Sequence, residues 1–118
     1  MNLEEIRRYC LEKPHVEETF PFDNRTLVFK VAGKMFLLTD VEDPVSVNLK
    51  CDPERAEELR ERYEAVLPGY HMSKKHWNTV LLEGRYSRKE FLEWIDHSYE
   101  LVYQSLPSKI RKEIEGLS

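Results

Sequence analysis

Between Gly69 and Thr79 the chain reads GYHMSKKHWNT, a run in which cations, rings and an amide stand side by side. The ammonium groups of Lys74 and Lys75 supply point charges for phosphate, and each phosphate neutralised releases counterions. The rings of His71, His76 and Trp77 can stack on unpaired bases, at about 1–3 kcal/mol each. Asn78, and Asn48 upstream, carry amides able to donate to and accept from base edges. Lys30 and Lys50 come from neighbouring β segments and read equally as an extension of the patch or as ordinary edge protection, whereas Lys34 reads as edge protection. The chemistry expected of Lys30, Lys50, His71, Lys74, Lys75, His76, Trp77 and Asn78 is therefore weak, phosphate-dominated DNA binding. Plainer roles compete with it: Trp77 begins a strand and can cap the core, and paired lysines are common on any surface.

Other chemistries find less support. His15, His71, His76 and His97 are scattered, and none lies four residues from another on a helix. In a strand, a five-residue separation would put His71 and His76 on opposite faces. The acids Glu4, Glu5 and Glu12 of the first helix fit an ordinary capped, solvated helix, so no metal and no other cofactor is expected. Cys51 stands just before Asp52, where a helix dipole can lower a thiol pKa. No base is fixed near it by spacing, and the four glycines are single turn residues rather than a phosphate loop. The chain reads as a non-enzyme.

Asn2 and Glu5 form a capping box for a first helix that runs to about Lys13, where Pro14 stops it. His15 to Arg25, with Phe20 and Phe22 astride Pro21, reads as an ordered loop whose phenylalanines should leave water. TLVFKVA (26–32) and KMFLLT (34–39) are β-rich runs joined at Gly33 in a tight hairpin. With a two-residue loop, Leu27, Phe29 and Val31 share the core side with Phe36 and Leu38. Val28 and Lys30 then share the other side with Met35 and Leu37, while a three-residue turn reverses the match. That second side is not fully polar, so something should cover part of it.

VSVNLK (45–50) alternates, with Val45, Val47 and Leu49 on one side. Asp52-Pro53 opens a second helix, DPERAEELRERYEAV, with Ala56, Leu59, Tyr63 and Val66 on one face and a mostly acidic remainder. Were DNA bound, that acidic face should point away from it. A strand follows from Trp77 to Leu82, and Ser87 with Glu90 caps a long helix carrying Phe91, Leu92, Ile95, Tyr99, Val102 and Leu106. Pro107 starts a short terminal helix. Phe29, Phe36, Val47, Leu81, Phe91 and Ile95 should be buried together. The pattern is α+β: an antiparallel sheet packed against N- and C-terminal helices, with one helix inserted between strands.

One domain fits 118 residues, with 41% hydrophobic and 34% charged residues. A net charge of -4 repels phosphate at long range, so nucleic-acid binding requires a local basic patch. Two cysteines, Cys10 and Cys51, are too few for a disulfide framework. The N-terminus lacks the apolar core of a signal peptide, and no run approaches a membrane span. A cytoplasmic location and no membrane partner are expected.

The strings ETFPFDNRTLVFKVAGKMFLL, VNLKCDPERAEELRERY, PGYHMSKKHWNTVLL and IDHSYELVYQSLP together resemble the MmcQ/YjbR family of bacteria across nearly the whole chain. PGYHMSKKHWNTV is the most specific of them, with Ser73 where the family pattern usually has Asn. The resemblance implies a CyaY-like, that is frataxin-like, fold over residues 1–118 and a DNA-binding role through a paired-wing surface. The alternative is a module for a protein partner or a small anionic ligand. Its groove would lie between the sheet and the C-terminal helix, lined by Tyr70, Trp77, His97 and Tyr99.

Overall fold

The structure is a computed structural model and describes residues 1–116. Among these residues it is α+β, with six strands in one antiparallel sheet and four helices. The elements in chain order are α1 (Leu3–Leu11), β1 (Val16–Thr19), β2 (Thr26–Val31), β3 (Lys34–Asp40) and β4 (Ser46–Lys50). There follow α2 (Pro53–Arg62), β5 (Val66–Pro68), β6 (Trp77–Leu81), α3 (Arg88–Ser105) and α4 (Ser108–Ile114). The sheet order is β1-β2-β3-β4-β6-β5, so the chain leaves β4 through α2, forms the edge strand β5 and returns between the two as β6. The inserted helix is α2.

The helix starts follow from their caps. Asn2 and Ser87 each close a capping box, and Asp52 accepts from the Arg55 amide with Pro53 at the first helical position. α1 and α3 bury Ile6, Cys10, Phe91, Ile95 and Val102 against Leu27, Phe29, Val31, Phe36, Leu37, Val47, Leu49 and Val80 on one sheet face. Arg7 of α1 pairs with Glu18 of β1 at 2.5 Å, and the Lys13 ammonium reaches Asp96 of α3 at 2.6 Å.

Two strands lie where the sequence reads as loop or helix. Val16–Thr19 pairs with β2 although Glu17 and Glu18 have no intrinsic liking for a strand, because it covers an otherwise open edge. α2 ends at Arg62, the backbone of Tyr63 is extended, and Val66 reaches the core as a strand residue opposite Val80. Phe20 and Phe22 are exposed, contrary to their expected burial. Leu81 is only half-buried; Val80 holds the place expected for it, since Trp77, Thr79 and Leu81 share the opposite face.

The β2–β3 hairpin has the two-residue loop Ala32-Gly33, and both residues have positive φ, +47° and +86°, as a type I′ turn requires. Near the turn the facing follows: Lys30 opposes Met35 on the side away from the helices, and Phe36 is in the core. Beyond it a β-bulge at Phe36 adds one residue to β3, so Phe29 opposes Leu37 and Val28 opposes Leu38. Leu37 therefore joins the core and Leu38 the other face, the reverse of the expected placement. The bulge leaves the Phe36 carbonyl and the Lys50 amide without each other. The buried Ser98 hydroxyl of α3 bridges them, accepting from Lys50 N at 2.9 Å and donating to Phe36 O at 2.5 Å.

Candidate functional site

With the helices gathered on one side, the other sheet face is open. By register, Glu17, Lys30 and Met35 on β1–β3 and Lys50 with Trp77 on β4 and β6 form the two parts of a row on this face near the hairpin end, interrupted between β3 and β4 by the bulge at Phe36. Behind it lie Thr19, Val28, Leu38, Asn48 and Thr79. Val28, Leu38 and Trp77 are buried, with Met35 and Met72 packed on them. Their cover is the turn Gly69–His76, which folds back over the face.

The turn is held by backbone proximity and one arginine. The Gly69 amide donates to the Trp77 carbonyl at 2.9 Å, and a Cβ on Gly69 would stand 2.8 Å from that of Trp77. Only glycine lets the two strands of chain approach so closely. Arg60 of α2 spans the turn: its guanidinium donates to the carbonyls of Lys74 and Trp77, and its Nε donates to Asn78 Oδ1 at 2.7 Å. Asn78 Nδ2 in turn donates to the Ala56 carbonyl at 3.4 Å. Neither Arg60 nor Ser98 stands out in the sequence, because their partners are backbone carbonyls and amides far away in the chain.

These bonds sort the residues expected to contact nucleic acid. Asn78, 2% exposed, lies on the helix side as a clamp between β6 and α2, so its amide is closed to base edges. Trp77, 8% exposed, fills the second apolar cluster and offers no ring face for stacking. His71, Lys74, Lys75 and His76 are exposed on the turn, while Lys30 and Lys50 are half-buried in the row described above. Lys74 Nζ donates to the Gly69 carbonyl at 3.1 Å. Glu54 and Glu57 of α2 share a shallow cleft with Lys74 and Lys75, so the acidic helix stands beside these lysines rather than away from them.

The groove expected between sheet and C-terminal helix is absent among the described residues. Tyr70 and Trp77 lie on the open face, whereas Tyr99 is buried in the core, edge-on to Phe36 at 5.5 Å. The space around His97, lined also by Cys51, Leu59 and Trp94, holds about 10 Å³, room for at most a water molecule. Cys51 is buried there, and desolvation pushes its thiol up to about 11, outweighing the pull of Arg55 and Arg60. Burial pushes Cys10 to about 12. No group of three or more His, Cys, Asp or Glu able to hold a metal occurs among the described residues, and Glu5 is engaged by Arg88. No described helix is long and apolar enough to cross a membrane.

A groove exists instead on the open face, enclosing about 580 Å³ between the turn and the chain around Phe22. Met35, Leu38, Met72, Val45 and Asn48 line it, with Tyr70 and Asp43. Tyr70 and His71 bring their rings to 4.0 Å, and His71 has φ +58°. The Tyr70 amide donates to Thr79 Oγ1 at 2.9 Å, and that hydroxyl donates to Asn48 Oδ1 at 2.5 Å.

Comparison with known proteins places this architecture among relatives. A YjbR protein of Escherichia coli K12, named as uncharacterized, is 34% identical over 113 residues, covering 95% of this chain and 96% of that one. The YbdF protein of Escherichia coli O157:H7, also named as uncharacterized, is 35% identical over 112 residues, 94% of this chain and 92% of the relative. The crystal structure of the Deinococcus radiodurans protein DR2400, a DUF419 domain, superposes with a TM-score of 0.91 at 44% identity, covering 99% of this chain and 89% of that one. A Pseudomonas syringae crystal structure matches with a TM-score of 0.73 at 28% identity, over 86% of this chain and 99% of the other. The family profile described as YjbR matches residues 11–101, and the chain belongs to the YjbR family.

Proposed function

We propose that this chain is a small, non-enzymatic binding module that takes nucleic acid weakly on the Gly69–His76 turn and the neighbouring strand lysines. The observation that carries the reading is the exposure of His71, Lys74, Lys75 and His76 together on a turn held rigid by Arg60 and Gly69. Rigid presentation lowers the ordering cost of binding. The helices, gathered on one sheet face, also support the frataxin-like part of the reading. Burial of both thiols, with their raised pKa values, favours a non-enzyme, since the thiolate is the nucleophile.

Binding on this surface is weak for two reasons. The molecule carries a net charge of -4, and Glu54 and Glu57 sit beside the lysine pair. Lys74 and Lys75 with Lys30 and Lys50 neutralise about three phosphates, for a log–log salt slope near -3 and an affinity of about micromolar or weaker at physiological salt. The test is a fluorescence titration of a labelled duplex at several salt concentrations. Replacing Lys74 and Lys75 by Ala should weaken binding to all sequences alike and flatten the slope by about two units. Absence of binding at low salt, or an unchanged slope in the double variant, overturns the proposal. Trp77 is unsuited to the test because its ring is part of an apolar cluster.

A further inference from the structure

The open-face groove has a chemistry unlike that of the lysine turn, and the nucleic-acid reading does not use it. Its walls expose apolar side chains that folding alone would bury: Phe22 is 64% exposed, Tyr70 68% and Val45 58%. Phe22 stands before β2, Val45 before β4 and Tyr70 after β5, so three separate parts of the chain bring apolar surface to one groove. Its volume falls within the range of about 300–1,000 Å³ typical of ligand clefts. Single exposed apolar residues need no explanation, but a contiguous group around a concavity marks a contact surface.

Charge selects the occupant. Asp40 and Asp43 line the groove, and Asp23 and Glu42 stand close by, with Arg25 paired to Asp40 and Glu42. Arg25 and nearby backbone amides hold Asp40 below the usual carboxylate range, and the amides of Thr26 and Arg25 do the same for Asp23. This end of the groove is therefore anionic and repels phosphate. Asn48 is a polar group of the lining: its Oδ1 accepts from the Thr79 hydroxyl, which leaves Nδ2 as the donor of its amide. Thr79 is fixed in turn by the Tyr70 amide. A preset donor beside apolar walls suits a main-chain carbonyl.

We propose that this groove docks a short protein segment that combines apolar side chains with lysine or arginine. The apolar side chains lie against Phe22, Val45, Tyr70 and Met72, a backbone carbonyl accepts from Asn48 Nδ2, and the basic group faces Asp43. The chain would then be a two-surface module, with nucleic acid on the turn and a basic–apolar protein segment in the groove.

The test uses a labelled hexapeptide of alternating lysine and leucine, its glutamate–leucine counterpart and a single-stranded oligothymidine, each titrated into the full chain by amide shift mapping. The lysine peptide should shift the amides of Val45, Ser46, Asn48 and Tyr70 saturably, and the glutamate peptide should bind at least about tenfold more weakly. Tyr70→Ala should lower the lysine peptide's affinity about tenfold, as loss of an exposed aromatic anchor does. Asp43→Lys should weaken it as well, with a flatter salt dependence, and Lys74→Ala with Lys75→Ala should leave it unchanged. Phe22→Ser should weaken it likewise and gives a second check on the apolar wall, since Phe22 and Tyr70 are both exposed. Equal binding of the two peptides, no saturable shift up to millimolar peptide, or preferential perturbation of the groove by the oligothymidine overturns the proposal. The last outcome would make the groove part of the nucleic-acid surface.

Discussion

His97 joins α3 to the start of α2 through one hydrogen bond, in which its Nε2 accepts the Asp52 amide at 3.2 Å. Only the neutral ring can accept, and burial, with Arg55 nearby and Asp52 partly opposing, holds its pKa below the usual value of 6.5. The unfolded chain therefore takes up this proton first as pH falls. Stability from His97 is complete above about pH 6.5, declines as pH falls below it, and is lost below the folded pKa. Urea midpoints measured at pH 7.5 and 5.5 should show a larger acid loss for the wild type than for His97→Gln, whose amide oxygen accepts at any pH. Equal losses would remove His97 from the acid response. The neighbouring Cys51 shows the same competition at one residue: the dipole at the start of α2 would ionise it, and desolvation prevails.

At the scale of elements, the β2–β3 hairpin is shaped by its turn and its bulge. Ala32 sits at φ +47°, where a Cβ costs about 1–2 kcal/mol relative to glycine, and its side chain is exposed. Asparagine tolerates this conformation and precedes glycine in preferred type I′ turns. Ala32→Asn should therefore raise stability by about 1 kcal/mol, seen as about 4 °C in Tm by calorimetry. An unchanged or lower Tm would show that the turn relaxes without strain. The bulge serves a different end, because it turns both Phe36 and Leu37 into the core and frees the carbonyl that Ser98 takes up. α2 likewise has two tasks: Ala56 is buried and Leu59 packs on the core, while Arg60 fixes the turn that covers the open face.

For the whole molecule, one apolar cluster between the helices and the sheet carries most of the stability, and a smaller one supports the turn. Phe29 is fully buried in the first, on a central strand. Phe29→Ala should cost about 3–5 kcal/mol, a large part of the about 5–15 kcal/mol available to such a domain. Urea unfolding followed by circular dichroism measures it, and a wild-type midpoint would contradict the facing of β2. The acids at the far end of the groove stand apart from the exposed lysines of the turn.

The sequence by itself determined what depends on neighbours along the chain. The capping boxes at Asn2 and Ser87, the Asp52-Pro53 helix start, the hairpin at Gly33, the apolar spacing of α3 and the exposure of Lys74 and Lys75 are all local, set by backbone chemistry and short-range periodicity. The family strings are local in the same sense. Tertiary structure alone decided what depends on the opposite strand or a distant helix. The bulge at Phe36 moves Leu37 and Leu38 to faces opposite to those alternation assigns, because register is fixed by pairing and by the Ser98 bridge. Glu17 and Glu18 become strand because β2 needs a partner. Asn78 and Trp77 read as contact residues in the string GYHMSKKHWNT, yet Arg60 and the turn bury them on opposite sides of β6. The groove is the extreme case, since Phe22, Val45, Asn48 and Tyr70 are separated by up to 48 positions and meet only when the sheet is assembled.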